Sequence, residues 1–126
     1  MKPIFVALAA ALLTGNAQAQ VDANLVVVLP PEAQECVLPA SPDAIPEDAS
    51  YEDLVAAKKE VARFQEELGV FRECLSAAEA NPDNTEGNKA AIVSSFNYSV
   101  EMEERVAERF NEAVRVYKER KAAAEG

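Results

Sequence analysis

Histidine and tryptophan are absent from this 126-residue chain, cysteine and methionine occur twice each, and glycine only four times. Each shortage removes a chemistry. Without histidine there is no Ser-His or Cys-His pair and no imidazole metal ligand. Two thiolates alone leave a zinc shell incomplete. The glycines stand isolated at positions 15, 69, 87 and 126, so no Gly-rich loop is available to cradle a phosphate. Met102 reads as a single gap filler, not part of a copper-binding methionine cluster. Basic residues are also scarce, 12 Lys and Arg against 22 Asp and Glu, for a net charge of −10. Nucleic acid and anionic membrane surfaces both reward positive patches, so neither is an expected partner. The carboxylates of Glu66-Glu67 and Glu101 to Glu104 read as solvated faces. No catalytic residue, metal site or cofactor is expected, and the chain does not read as an enzyme.

Long apolar runs are missing too. The longest, Ile4 to Leu13, is about half of the roughly 20 residues a membrane-spanning helix needs. Lys2 precedes it, while Gly15 and the small-x-small pattern Ala17-Gln18-Ala19 follow it. Residues 1–19 therefore read as a signal peptide cleaved after Ala19, which predicts a periplasmic or secreted protein with no stable membrane anchor. Two cysteines in an exported chain predict a Cys36–Cys74 disulfide. Its closed loop of about 38 residues is worth roughly 4 kcal/mol in the chain-entropy account.

Residues 20–50 form an arm rich in proline and acid. The run Leu25-Val-Val-Val-Leu29 reads as an extended leader, or as a short strand added to the edge of a partner's sheet. Pro39, Pro42 and Pro46 forbid a helix over the following stretch and favour polyproline geometry. Ser50 then caps a helix, with Asp53 three residues on. Leu54, Val61, Leu68 and Leu75 repeat every seven residues, and Ala57, Phe64, Phe71 and Ala78 follow each by three. That a/d pattern predicts helix 1 over about 51–80.

The polar run 81–87, bracketed by Pro82 and Gly87, reads as a turn. Helix 2 is expected over about 88–121, with Ile92, Phe96, Ser99, Val106, Phe110, Ala113 and Tyr117 on its seam. Glu103 falls on that seam. Arg72 or a partner's cation are its candidate counter-ions, and extension of the side chain to water is the expectation. Val93, Val100, Ala107 and Val114 form a second apolar row beside the seam, wider than one partner helix covers. Tyr51, Tyr98 and Tyr117 read as packing residues, and Asn97-Tyr98-Ser99 as a sequon on a helix.

Two long helices with a short connection predict an all-α antiparallel hairpin of coiled-coil type, residues 51–126. Arg115, Lys118, Arg120 and Lys121 would then lie beside Asp48, Glu52 and Asp53. Cys74 stands about 35 Å along the helix from Tyr51, and the arm from Cys36 to Ser50 spans about 43 Å in polyproline geometry. The disulfide is therefore reachable only if the arm runs back along helix 1, nearly extended. Val37, Leu38 and Ile45 are its expected apolar contacts, and Val70, Cys74 and Ala77 the strip it lands on.

Cys36, the entry Ile45-Pro46-Glu47 and Ala49-Ser50, and Phe71-Arg-Glu-Cys74-Leu75 together resemble a group of small exported proteobacterial proteins. These share a cysteine in a proline-rich arm, followed by two long helices. The resemblance implies a bacterial envelope location and this fold, and it implies no activity. The expected function is a protein-interaction or structural module, self-associating or docked on an envelope partner through helix 2. The alternative is an acidic inhibitor or chaperone-like binder of a basic client.

Overall fold

The computed structural model describes Gly15 and residues 22–126. The expected signal peptide, apart from Gly15, lies outside the described residues. Two long helices dominate, α2 over Tyr51–Glu79 and α3 over Glu86–Glu125. They are preceded by a 3-10 turn at Ala23–Leu25 and a one-turn helix α1 at Pro31–Gln34.

Local chemistry fixes where both long helices start. The Ser50 hydroxyl accepts from the Asp53 amide at 3.1 Å, and the Asp53 carboxylate accepts from the Ser50 amide at 2.9 Å. Thr85 and Asn88 repeat this reciprocal arrangement at the head of α3, with both bonds 3.0 Å. Each pair satisfies amides that have no partner within the helix. The expected start near Asn88 is therefore corrected to Glu86, and Gly87 lies inside the first turn rather than ending the loop. At the other end of the connection, Asn84 donates its side-chain amide to the last carbonyls of α2, Ala78 at 2.8 Å and Glu79 at 3.3 Å.

The helices pack face to face as a hairpin. Tyr51, first residue of α2, meets Tyr117 near the end of α3, with ring centroids 6.5 Å apart. Phe64 and Leu68 share a cluster with Val106, and Val61 and Met102 pack against it. Nearer the connection, Phe71, Leu75 and Ala78 share one with Ile92. The four a positions and four d positions of helix 1 divide cleanly: Leu54, Phe64, Leu68, Phe71, Leu75 and Ala78 are buried, and Ala57 and Val61 partly so.

Residues 22–50 are not extended throughout, as the 3-10 turn and α1 interrupt them. Pro31 suits the first position of a helix, where its missing N–H is no loss, and Gln34 closes the turn by donating to the Leu29 carbonyl at 2.7 Å. Beyond α1 the burial follows a period of three. Cys36, Pro39, Pro42 and Ile45 are buried or half-buried, and the two residues between each are exposed. Three residues per turn is the polyproline repeat.

That period corrects the expected contacts. Val37 and Leu38 fall on the two outward positions and are exposed, while Ile45 falls on the inward one. Of the expected landing strip only Cys74 is engaged; Val70 and Ala77 face solvent. Leu25–Leu29 pairs with no strand, and no strand exists among the described residues.

Candidate functional site

Cys36 and Cys74 are joined by a disulfide, their Cα atoms 5.6 Å apart. The bond attaches the second residue beyond α1 to the interior of α2. Beside it α1 packs on the hairpin core. Ala33, 2 % exposed, completes the cluster of Phe71, Leu75, Ala78 and Ile92, and Leu29 and Cys36 pack on its rim. Glu32 accepts two bonds from the Asn81 side-chain amide, at 2.8 and 3.0 Å, which couples α1 to the connection between the long helices.

Upstream, the apolar run lies across the head of α3. Asn88, whose side-chain oxygen completes the cap, donates its side-chain nitrogen to the Val28 carbonyl at 2.8 Å. Gly87 is buried beneath the Val26 backbone, so close that no side chain fits between them. A glycine in the first turn of a helix was the available sequence signal for this approach, and it reads equally well as a loop residue. Gly69 differs: a Cβ there meets nothing within 4 Å.

The interior of the hairpin holds one polar node. Ser99 is fully buried, donates its hydroxyl to the Phe96 carbonyl at 2.6 Å and accepts from Arg72 Nε at 2.9 Å. Arg72 Nη2 reaches the Glu103 carboxylate at 2.8 Å, with both side chains largely buried. The Arg72 guanidinium also stands 5.8 Å from the centre of the Phe96 ring. Glu103 is thus paired across the helices rather than extended to water. Phe96, expected on the seam, is turned partly outward, with its ring beside the Arg72 guanidinium. The node is chemically closed. The Ser99 hydroxyl donates to a carbonyl and accepts from Arg72, and the Glu103 carboxylate is bound to the same arginine.

At the far end of the hairpin the expected carboxylate pairs do not form. Arg120 instead donates to the backbone carbonyls of Glu47 and Ala49, the latter at 2.6 Å. The carbonyls are presented by the turn at 47–48, and Asp53 is already held in the helix cap. Arg115 pairs within α3 to Glu112 and Glu119.

Two clefts flank the arm. One of about 420 Å³ lies between Pro42–Pro46 and the helices, over Ala57, Val61, Val106 and Phe110. The other, about 350 Å³, lies between α1 and α3 and is lined by Leu29, Ala33, Leu38, Phe71 and Tyr98 among others. Along the second apolar row of α3, Val93 is exposed and Val100, Ala107 and Val114 are half-buried. No group of His, Cys, Asp or Glu among the described residues is arranged to hold a metal ion, and none of their helices is long and apolar enough to cross a membrane. Comparison with protein-family models, curated proteins and solved structures finds no match.

Proposed function

We propose that this chain is a protein-interaction module of the bacterial envelope: an antiparallel two-helix hairpin with a proline-stiffened arm strapped along it. The observation that carries the reading is the amount of large apolar side chain left facing water on the arm and the adjoining half of the hairpin. Leu25 and Val27 are each 64 % exposed and Val37 is 79 % exposed, with Val93 and Tyr98 on α3 about half exposed. Side chains of this size exposed mostly in one half of a small domain are an ordinary mark of a surface that another protein covers. The disulfide supports an oxidising compartment, and the resemblance to small exported proteobacterial proteins supports the same location. The closed polar node and the absence of histidine favour binding over catalysis.

The test is site-specific photocrosslinking of the tagged full chain in its native compartment, with the crosslinker placed in turn at Val27, Val37, Val93 and Lys58. Discrete adducts from the three valine positions, and none from Lys58, are expected. A ladder of equal intensity from all four positions, or no adduct from any, would overturn the reading.

A further inference from the structure

The net charge is not spread over the hairpin. Dividing the chain midway, between 65 and 66 on α2, 104 and 105 on α3, and 41 and 42 on the arm, separates two unlike halves. The half containing the disulfide and the interhelical connection (22–41 and 66–104) carries twelve acidic residues against two basic ones, Arg72 and Lys89. Both cations are already engaged, Arg72 with Glu103 and Lys89 with Glu86. The other half carries ten acidic residues against nine basic ones and is close to neutral. The exposed large apolar side chains follow the same division: ten of the twelve lie in the acidic half, and only Tyr51 and Val55 lie outside it.

We propose that the acidic half is a docking surface for a basic, amphipathic polypeptide segment, seated on the cleft between α1 and α3. The proposal rests on the interaction-module reading and names its surface and the chemistry of its partner. The cleft supplies an apolar floor from Leu29, Ala33 and Phe71, with Leu38 and Tyr98 as exposed walls. The excess of carboxylates in this half of the molecule supplies a field that attracts cations, screened over roughly a Debye length, about 8–10 Å at physiological salt. Charge decides among the other occupants. A second copy docked through the same face would oppose two strongly acidic surfaces, and an anionic lipid surface would be repelled. A segment with leucine-like side chains on one face and lysines on the other satisfies both the floor and the field.

The experiment uses the oxidised chain and two labelled helical probes, one of leucine and lysine in amphipathic spacing and one with glutamate in place of lysine. Fluorescence anisotropy is expected to show saturable binding of the leucine–lysine probe, weakened severalfold by raising salt, and none of the glutamate probe. Tyr98→Ala and Leu38→Ala should each weaken binding about fivefold or more, with helicity by circular dichroism unchanged because both side chains are exposed. Val55→Ala, in the neutral half, should leave binding unaltered. The proposal is overturned if the leucine–lysine probe does not bind, if both probes bind equally, or if Val55→Ala weakens binding as much as Tyr98→Ala. Failure of the probe with crosslinks from Val27, Val37 and Val93 intact defeats only this proposal; loss of both defeats the module reading as well.

Discussion

The Val26 backbone lies so tightly over Gly87 that a Cβ on Gly87 would stand 1.9 Å from the Val26 carbonyl oxygen and 2.5 Å from its carbon. Glycine in a helix usually lowers stability relative to alanine, so Gly87→Ala would ordinarily help. Here the methyl meets backbone and must displace the arm. The variant is expected to lose about 1–3 kcal/mol and the protection of amides in residues 22–29. Urea denaturation and hydrogen exchange would show both.

Gly69→Ala is expected to act in the opposite sense. Nothing lies within 4 Å of a Cβ there, so only the helix preference operates. A gain of about 0.5–1 kcal/mol should appear as a higher urea midpoint with an unchanged slope.

Much of the architecture was legible because it is local. The heptads of helix 1 and the pair Ser50–Asp53 specify an element without reference to anything distant, and the compartment argument joined Cys36 to Cys74. What the sequence hid depends on relations between segments. Thr85-x-x-Asn88 is a cap only if the chain turns helical there, and Gly87 is informative only once Val26 is known to cross it. The arm's inward face was obscured for another reason. Hydrophobicity singled out Val37 and Leu38, but the three-residue repeat set by the prolines turns Pro39 and Pro42 inward instead. Arg72 and Glu103 were visible as candidates for each other, yet the buried Ser99 that orders them reads as an ordinary seam interruption.

The Arg72–Ser99–Glu103 node is expected to behave as one unit. Arg72→Met leaves the Glu103 carboxylate and the Ser99 hydroxyl short of a partner in a largely buried site, at about 2–3 kcal/mol. Glu103→Gln alone should cost less, about 1–2 kcal/mol. The double variant should be more stable than the sum of the two implies, a coupling that a thermodynamic cycle from denaturation curves measures directly.

Reducing the disulfide, or replacing both cysteines by serine, is expected to lower stability by about 2–5 kcal/mol. The core is thin, so this is a large share of the total. Thermal unfolding with and without reductant should separate the two forms widely. Limited proteolysis should then open the arm between α1 and Ser50 first.

Acid should reveal the pairing on the exposed face of α3. The hydrogen bond from Arg115 holds the Glu112 carboxyl below its ordinary value, and the full charge of Arg115 adds to this. A carboxyl lowered on folding stabilises above its unfolded value, and that contribution disappears as pH falls through the folded one. Because the pair is fully exposed, the effect on stability is small. The direct readout is an NMR titration, in which Glu112 should lose its proton at lower pH than in the Arg115→Ala variant.

The arm grips α3 near both extremities, through Val26 and Val28 at Gly87 and Asn88 and through Glu47 and Ala49 at Arg120. Between those grips it is bonded covalently to α2. A heptad seam by itself tolerates slippage, since a shift of one repeat brings like residues against like. Here a shift of even one turn, about 5.4 Å, would carry both grips out of register with the arm. The arm therefore acts as a ruler, fixing how far α3 stands along α2.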